Sequence, residues 1–581
     1  MKRCPECNRI ETDEALKFCR VDGATLVIDS SSIGSEAGTA QLGSVNTSDV
    51  HTSMFPQNTE AGTSRATGPT TVLPLPTPST TGTLPKPISR KTIVIITSVI
   101  VLLAVIAIGI ISYRTRSSTA ALDSIAVLPF NNQNNDAEAE YLSDGLAESL
   151  IYRLSQLPNL KVSPTSSVIR YKGKQTDVKT IANELGVSAV LTGRILKRGD
   201  SLMISVELVD VRNNKLLWGE QYDRKMSDLL ATQREIASMI TQKLELKLSG
   251  DESKGLTKKY TNNNEAYQLY LKGRYSFAKR TKPDTQKAIE YFQQAIDLDP
   301  NFALAYARIS ETYGSMPAYP YLPPNEAFPK AKAAAQRALE IDPTLSEAHT
   351  FLAYSLAIHD WNWAEAEREF KRAIELEPNN AAAHFRYGQI YLGSVGRIDE
   401  ATAEIKRGLD AEPLDINMGV SLAWAYVAAQ RNQQALEQAR KTYELEPTHP
   451  LGRWMLSQAY LVNEKYAEAI ALDEQWLQND PTNQFALRDV GIAYAKDGQR
   501  DKAEQIINRM RDFGKTQYLP TCRIAAIYLA LDQKDKAFEE LKKAFDARDW
   551  ELFRVNADWY WNTVRDDPRF KELLKRLNLP Q

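Results

Sequence analysis

The residues of this sequence that could bind a metal ion lie close to its N-terminus. Three cysteines follow C-x2-C-x11-C spacing, and an aspartate stands where a fourth ligand would, after two further residues. Four tetrahedral donors close a structural zinc site, and both thiolate and carboxylate groups serve as donors. We therefore predict a small head over residues 1–28 that holds one structural zinc ion. Its expected ligands are Cys4, Cys7, Cys19 and Asp22.

Two other interpretations of the cysteine pattern stay open. The head could have lost its metal, or the C-x2-C pair could be redox-active, although no thioredoxin-like strand and helix surround it. His51 is a remote further candidate for a ligand. Outside the head the chain has a single cysteine, Cys522, so the sequence offers no disulfide framework. The thiols of the head are expected to stay reduced.

Catalytic motifs are missing from the sequence. The stretch YKGKQT contains Gly-Lys, but it lacks the earlier glycine and the strand-to-helix setting of a phosphate loop, so we interpret it as a surface turn. Ser143 and Asp144 are explained by the capping of a helix N-terminus. No metalloprotease, hydrolase or kinase motif is present. We predict that the chain is not an enzyme.

Length and charge limit the functional classes. A chain of 581 residues is too long for one hydrophobic core and indicates several domains. Its 71 basic and 73 acidic residues give a formal net charge of −2. Because basic and acidic residues are nearly equal in number, the charge of the whole chain argues against nucleic acid as its partner.

A linker and an apolar run follow the head. Residues 29–90 are rich in Ser, Thr, Gly and Pro and cannot bury enough apolar surface to offset the entropy of ordering, so we predict a disordered linker. Residues 92–113 contain no charged side chain. At roughly 1.5 Å per helical residue this run is about 33 Å long, enough to cross a bilayer. We predict a transmembrane helix over 91–114.

The charges beside that helix indicate its orientation. Three basic residues, Lys86, Arg90 and Lys91, precede the apolar run, whereas Arg114 and Arg116 follow it. Basic residues concentrate on the cytoplasmic side of a membrane. The expectation is a single-pass protein of the inner membrane with a cytoplasmic N-terminus and extracytoplasmic C-terminal domains.

The next segment, 122–250, alternates short β-branched runs with amphipathic helical patterns. SIAVLPF reads as a strand, and EAEYLSDGLAESLIYRLSQLP has apolar residues at helical spacing. Three further strands follow one another closely, and the turn KRGD joins two of them as a hairpin. The order of elements predicts an α/β domain with a mixed sheet.

The remainder of the chain repeats. Prolines end similar segments such as AIELEP and TYELEP, with spacings of 43, 35, 35, 34 and 34 residues. The positions are Pro300, Pro343, Pro378, Pro413, Pro447 and Pro481. This period is the signature of tetratricopeptide repeats. About eight units fit over 262–550, followed by a C-terminal cap over 551–581.

Several of these stretches resemble known families. SIAVLPFNN, IANELGVSAVLTGRI and ELVDVRNNKLLWGEQYDR are similar to the TolB-like amino-terminal domain, which is related to the FlgO family, and the head resembles a zinc ribbon. In that family a membrane anchor precedes the domain, helical repeats follow it, and cyclase, kinase or winged-helix domains often precede the anchor. The resemblance therefore implies a multidomain chain: a small zinc-ribbon-like head, one transmembrane helix, an α/β TolB-like domain and an all-α tetratricopeptide solenoid.

The repeats offer the best candidate for a functional surface. In tetratricopeptide arrays the first helices of the pairs line a concave groove, and aromatic and arginine side chains there suit a peptide ligand. The alternative interpretation is that the aromatic side chains at these positions belong to the hydrophobic core. The groove positions implied by the resemblance are Tyr354, Phe385, Gln389, Trp424, Trp454, Gln458 and Arg488.

Taken together, these features predict a membrane-anchored protein-binding scaffold or sensor, with a protein or peptide ligand in the repeat groove. The alternative is a signalling or transcriptional regulator in which the zinc-ribbon-like head contacts a kinase, cyclase or nucleic-acid partner. The sequence does not specify an oligomeric state.

Overall fold

The computed structural model describes residues 122–580, apart from 135, 137–138, 158, 175 and 320, and three short strands before residue 29. The chain divides into two units, Met1–Thr119 and Ala120–Gln581. In the first unit, strand β1 pairs antiparallel with both β2 and β3. These strands are β1 (Lys2–Arg3), β2 (Ile10–Glu11) and β3 (Val27–Ile28).

The second unit begins with a mixed sheet, as predicted. Its strands are β4 (Ser124–Val127), β5 (Asn131–Asn132), β6 (Lys161–Val162), β7 (Ala189–Arg198), β8 (Ser201–Asp210) and β9 (Lys215–Lys225). The strand order is β6-β4-β7-β8-β9, with β5 beside β7. Strands β4, β5 and β6 make parallel pairs, whereas β7-β8 and β8-β9 are antiparallel. The predicted hairpin at KRGD is the turn between β7 and β8.

Five helices accompany the sheet. They are α1 (Glu140–Ser155), α2 (Thr165–Val168), α3 (Val178–Leu185), α4 (Leu229–Lys243) and α5 (Gly250–Thr257). Local signals fix α3, because the Asp177 carboxylate accepts the Thr180 backbone N–H at its start. At its end Gly186 takes a left-handed conformation, with φ of 62°.

Sixteen helices over 264–546 follow as eight consecutive pairs. The first members are α6 (Asn264–Ala278), α8 (Ala303–Ser315), α10 (Ser346–Ser355), α12 (Ala381–Arg386), α14 (Ile416–Ala428), α16 (Pro450–Val462), α18 (Gln484–Lys496) and α20 (Thr521–Ala530). The second members are α7 (Lys282–Leu298), α9 (Pro324–Ile341), α11 (Trp363–Leu376), α13 (Ile398–Ala411), α15 (Asn432–Leu445), α17 (Tyr466–Asn479), α19 (Arg500–Gly514) and α21 (Lys534–Asp546). Short π-helical turns, Leu356–Asp360 and Tyr387–Leu392, extend α10 and α12.

The turn inside each of the last six pairs contains one residue in the left-handed region. These residues recur every 34 or 35 positions, with φ between 52° and 82°. They are Trp361, Gly396, Gln430, Glu464, Gly498 and Asp532. Only two of the six are glycine, so the turn geometry is imposed by helix packing more than by the local sequence. The backbone thus carries the same period as the prolines.

The α/β domain and the first repeats share one hydrophobic core. Gly145 of α1 lies against Leu271 of α6, where an added Cβ would stand 2.9 Å from a Leu271 methyl carbon. The hydroxyl of Tyr267 in α6 donates to Ser149 Oγ in α1 at 2.9 Å. Arg153 of α1 donates to the backbone carbonyl of Leu256 at 3.0 Å. Within the second unit, domain and repeats therefore pack as one body.

After the last pair the chain turns back over the repeats. Residues 549–564, called the C-terminal segment below, contain two short 3-10 helices, Trp550–Arg554 and Trp559–Val564. Helix α22 (Pro568–Arg576) ends the chain. Two distant repeats also meet directly, since the rings of Trp361 and Phe545 lie with centroids 4.9 Å apart. The array closes on itself.

The predicted fold class needs correction. The described chain is mostly helical, with a tetratricopeptide solenoid, and no helix among the described residues is long and apolar enough to cross a membrane. The longest repeat helix, α9, has 18 residues and carries several charged side chains, because its outer face meets water. The predicted localisation as a single-pass inner-membrane protein is wrong on this finding. The head, the linker and the apolar run 91–114 lie outside the described residues, apart from the strands β1 to β3.

Candidate functional site

The seven predicted groove residues all lie on first helices of the pairs or on the π turns that extend them. Trp424, Trp454, Gln458 and Arg488 are buried, with exposed fractions of 3%, 5%, 4% and 0%. Tyr354, Phe385 and Gln389 are half-buried. The first helices of five successive pairs, α10 to α18, therefore contribute to one surface. Whether that surface binds a peptide stays a prediction, because the buried side chains are covered from within the chain.

The C-terminal segment covers this surface. Trp550 donates its indole N–H to the Tyr354 hydroxyl at 3.0 Å, and Trp559 donates its own to Gln458 Oε1 at 2.8 Å. Trp424, in turn, donates its indole N–H to Asp558 Oδ1 of the segment at 2.8 Å. Three of the predicted groove residues therefore hydrogen-bond to the segment. Indole N–H groups need such partners when they are buried.

A buried ionic cluster joins the segment to the last first helices. Glu551 of the segment accepts from Arg523 Nε of α20 at 2.9 Å and lies 3.6 Å from Arg488 Nη1 of α18. Arg554 Nη2 lies 3.5 Å from the same carboxylate. All four side chains are at most 3% exposed. Burial raises the pKa of Glu551, but the three guanidinium groups outweigh it and hold that pKa at about 2.

Two further carboxylates lie under this cluster. Arg488 Nε donates to Asp489 Oδ1 at 2.6 Å, and Asp473 accepts from the Ser457 hydroxyl at 2.6 Å. Burial raises the pKa of both Asp473 and Asp489 above the ordinary value. Asp549, at the start of the segment, accepts the backbone N–H of Cys522, and burial followed by the charge of Glu551 raises its pKa to about 6. The acids of the site thus differ: the arginines lower the pKa of Glu551, whereas burial raises the pKa of Asp473, Asp489 and Asp549.

Aromatic rings enclose the guanidinium groups. Arg488 lies 5.8 Å from the ring centroids of Trp454 and Tyr560, and Arg554 lies 5.2 Å from that of Trp454. Such cation–π contacts favour arginine over lysine, since the flat guanidinium stacks on the ring. The arrangement suits the binding of acidic and aromatic side chains.

Sequence reasoning missed the C-terminal segment as part of this site. The signal was its composition, DWELFRVNADWYW, in which five of thirteen residues are aromatic. A polar capping sequence would not need them. Sequence periodicity could not give the location of the segment, because its indole hydrogen bonds join residues more than one hundred positions apart.

The other predicted chemical positions have structural roles. The capping interpretation of Ser143 and Asp144 is wrong, since α1 begins at Glu140, so both lie within the helix. Asp144 instead pairs with Lys172 at 2.7 Å, in the predicted surface turn YKGKQT. Cys522 is buried, and burial raises the pKa of its thiol well above the ordinary value. It is a core residue.

The predicted zinc ligands Cys4, Cys7, Cys19 and Asp22 lie outside the described residues, and so does His51. Within the part that the structure describes, no group of three or more His, Cys, Asp or Glu side chains is placed to hold a metal ion. The zinc site therefore stays a prediction.

Comparisons with protein families match both parts of the second unit. Residues 120–239 match the family described as the second domain of HilA/YgeH-like transcriptional regulators. Residues 275–302, 358–419 and 420–484 match tetratricopeptide repeats. The TolB-like resemblance of the α/β domain and the zinc-ribbon resemblance of the head are not shown by these matches.

Two curated relatives cover about half of the chain. A protein of Rhizobium meliloti (strain 1021), named as a candidate adenylate cyclase 3, is 30% identical over 41% of this chain and 40% of its own length. The transcriptional regulator HilA of Salmonella typhimurium is 24% identical over 52% of this chain and 53% of its own. The chain thus spans about half the length, or less, of these relatives.

Among solved structures, pilF of Pseudomonas aeruginosa is similar to 36% of this chain and 94% of its own, with 21% identity and a TM-score of 0.28. The repeat period, the helix pairs and the family matches agree. The chain contains tetratricopeptide repeats, preceded over residues 120–239 by a domain similar to the second domain of HilA/YgeH-like regulators.

Proposed function

We propose that the chain is a protein-binding scaffold or sensor that works through the concave surface of its repeats. The observation that carries the proposal is the C-terminal segment itself: first helices of successive pairs hold a length of polypeptide through indole hydrogen bonds and buried ion pairs. A surface that accommodates one irregular segment has the shape and donors to accommodate another. Its ligand is therefore a protein or peptide.

A site-specific photo-crosslinker tests this proposal. In the full chain, the crosslinking residue replaces Gln389, a half-buried residue of the predicted groove. The matched control places it at Ala471, an exposed position on the second helix α17. Adducts with the same protein partner are expected from position 389 and not from position 471. Equal adducts at both positions, or none at 389 under conditions where the chain is folded, would contradict the proposal.

A second candidate function is a part in signalling or transcriptional regulation. It is favoured by the match of residues 120–239 to a domain of transcriptional regulators and by the relative named for adenylate cyclase. In this version the head contacts a kinase, cyclase or nucleic-acid partner, and the repeats bind a further protein. Fluorescence anisotropy of labelled duplex DNA with the full chain tests the nucleic-acid version. Binding that weakens steeply with salt would favour it, and no binding at low salt would exclude it.

The absence of enzymatic activity stays a prediction. A repeat scaffold of this kind is typically not an enzyme, and the site has no reactive group in a suitable environment. The relative named as a candidate adenylate cyclase matches 41% of this chain and 40% of its own length, so its activity is not assigned to this chain.

A further inference from the structure

The concave surface and the segment that covers it are complementary at two mirrored places. The segment contains the pairs Trp550-Glu551 and Asp558-Trp559, in which an indole and a carboxylate are adjacent. The surface provides an oxygen acceptor for each indole: the Tyr354 hydroxyl for Trp550 and the Gln458 amide oxygen for Trp559. The surface also provides a hydrogen-bond donor for each carboxylate.

The donors that face Glu551 are charged guanidinium groups, whereas the donor that faces Asp558 is a neutral indole. Glu551 lies between Arg488 and Arg523, and both guanidinium groups are buried. Asp558 accepts the neutral indole N–H of Trp424 at 2.8 Å. An extended ligand with acidic and tryptophan side chains would satisfy all of these groups, whereas a basic one would leave two buried guanidinium groups facing like charge.

The segment does not saturate the surface it covers. Among the described residues, Arg488 Nη2 is buried without a hydrogen-bond acceptor, and Arg488 Nη1 has only the ion pair with Glu551 Oε2 at 3.6 Å. In the segment, Arg554 Nη2 likewise has only a long ion pair, 3.5 Å from Glu551 Oε1. A buried polar atom left unbonded costs free energy, since it has lost its water. A ligand that supplied further acceptors to Arg488 would bind this surface better than the segment does.

The joint to the preceding helix also departs from regular geometry. Arg548 stands between α21 and the segment in the left-handed region, with φ of 50°. Bulky non-glycine residues adopt this conformation at an energetic cost. Release of the segment is opposed by the burial of Leu552, Phe553 and Val555, which are at most 1% exposed. The segment is thus held by apolar burial and is imperfectly matched at its polar groups.

From this complementarity we propose that residues 549–564 are a built-in competitor for the partner of the concave surface. The partner is an extended segment of another protein in which tryptophan stands beside Asp or Glu. The proposal deepens the proposed function, since it rests on the concave surface being a protein-binding site. A tethered competitor acts at a millimolar effective concentration, so only a ligand with better contacts displaces it.

Binding of a peptide with the segment's own sequence tests the proposal. The probe is a fluorescein-labelled peptide of residues 547–562, titrated with the full chain and followed by anisotropy. Trp559→Ala weakens the tethered competitor while leaving every side chain of the surface in place. We expect this variant to bind the peptide at least about tenfold more tightly than the unmodified chain, because it loses the ring contacts and the indole hydrogen bond to Gln458, and tryptophans at interfaces commonly contribute that much.

Two controls accompany the variant. Thr563→Ala changes an exposed residue of the same segment and is expected to leave peptide binding at the unmodified level. A peptide carrying Glu551→Gln is expected to bind Trp559→Ala less tightly than the unaltered peptide, because it no longer offers a carboxylate to Arg488 and Arg523. Circular dichroism confirms that the Trp559→Ala chain is folded.

Hydrogen exchange of the unmodified chain provides a measurement that needs no variant. Excess peptide is expected to speed exchange in 549–564 and in no other region. Equal peptide affinity in all chains, or exchange of the segment only on global unfolding, would show that it is a fixed part of the fold and overturn the proposal. A doubled mass of Trp559→Ala in light scattering would identify a second copy as the occupant and also overturn it.

The proposed function is judged separately. Partner adducts from position 389 together with failed peptide binding would leave the scaffold intact and refute only the built-in competitor. Loss of both would refute the two together.

Discussion

Arg488 joins two buried carboxylates. It lies between Asp489 and Glu551 and is fully buried. Charged neighbours raise the pKa of this arginine despite its burial, so it stays protonated. A side chain of this kind contributes little net free energy as a pair, yet its removal leaves buried carboxylates without a counter-charge.

The variant Arg488→Met is therefore expected to lower the free energy of unfolding by about 3–5 kcal/mol, measured by urea denaturation. Arg372→Met is the matched control, since Arg372 is exposed on α11 and its pair with Glu375 lies in solvent. That change is expected to cost about 0.5 kcal/mol or less. A loss as small as the control's would mean that water reaches the cluster.

His384 makes stability depend on pH. Its Nδ1 lies 2.6 Å from Glu404 Oε2 and its Nε2 lies 2.9 Å from the Pro378 carbonyl oxygen. Burial lowers the pKa of His384, but these two hydrogen bonds outweigh it and raise the pKa above the ordinary value. A raised pKa in the folded state means that the stabilising protonated pair is complete below the unfolded pKa of about 6.5.

The contribution of His384 is then lost as the pH rises through the raised value. The free energy that His384→Gln removes is expected to be larger at pH 5.5 than at pH 8.5. Urea denaturation of both chains at the two pH values measures it, and the difference between chains cancels the other titrating groups. A deficit that grows with pH would reverse the assignment.

The metal site is a further prediction at this scale. We propose that the head holds one structural zinc ion, because three cysteines and Asp22 have the spacing of a tetrahedral site. Mass spectrometry of metals in the purified full chain is expected to give one zinc per chain. Cys4→Ser and Cys19→Ser should remove it, and Asp22→Ala should weaken it less. Zinc retained in both serine variants would place the metal elsewhere.

At the scale of elements, small residues set the spacing between helices of neighbouring pairs. Ala469 of α17 is fully buried, whereas Ala471, two residues later, is exposed. Ala469→Leu is expected to overpack the helix contact and to lower the free energy of unfolding by about 1–3 kcal/mol. Ala471→Leu, the same substitution on the outer face of the same helix, should change it by about 0.5 kcal/mol or less. Equal effects would show that α17 shifts freely.

The repeat helices and the sheet could be predicted because their signals are local. Proline spacing and alternating apolar residues follow from the period of one helix pair or one strand. The cover over Trp424 and Trp454 could not be predicted in this way. Both residues lie on first helices, as predicted, but Trp424 donates to Asp558 and the Trp454 ring lies 5.2 Å from the Arg554 guanidinium, contacts that no periodic signal could indicate. The start of α1 was missed for a different reason, since Ala139 precedes it without any side-chain cap.

At the scale of the molecule, the α/β domain and the first repeats should unfold together. Their contact has no room at Gly145, where a Cβ would approach Leu271 to 2.9 Å. Gly145→Val is expected to separate the two parts, so that one calorimetric transition becomes two. Gly250→Ala is the matched control, since a Cβ there meets no atom within 4 Å. A single unchanged transition in Gly145→Val would show that the shared core tolerates a shift of α6.

The contact between Trp361 and Phe545 has a consequence for the history of the chain. Open repeat arrays gain and lose units freely, because each unit touches only its neighbours. Here the Arg548 guanidinium also lies 4.3 Å from the Trp361 ring, and Asn578 Nδ2 donates to the Trp361 carbonyl oxygen at 3.3 Å. One duplicated or deleted unit would carry these partners roughly a helix diameter, about 10 Å, apart. These contacts therefore fix the number of units between Trp361 and Phe545. In this stretch, evolution can substitute single residues but cannot add or remove a whole repeat without breaking the contacts.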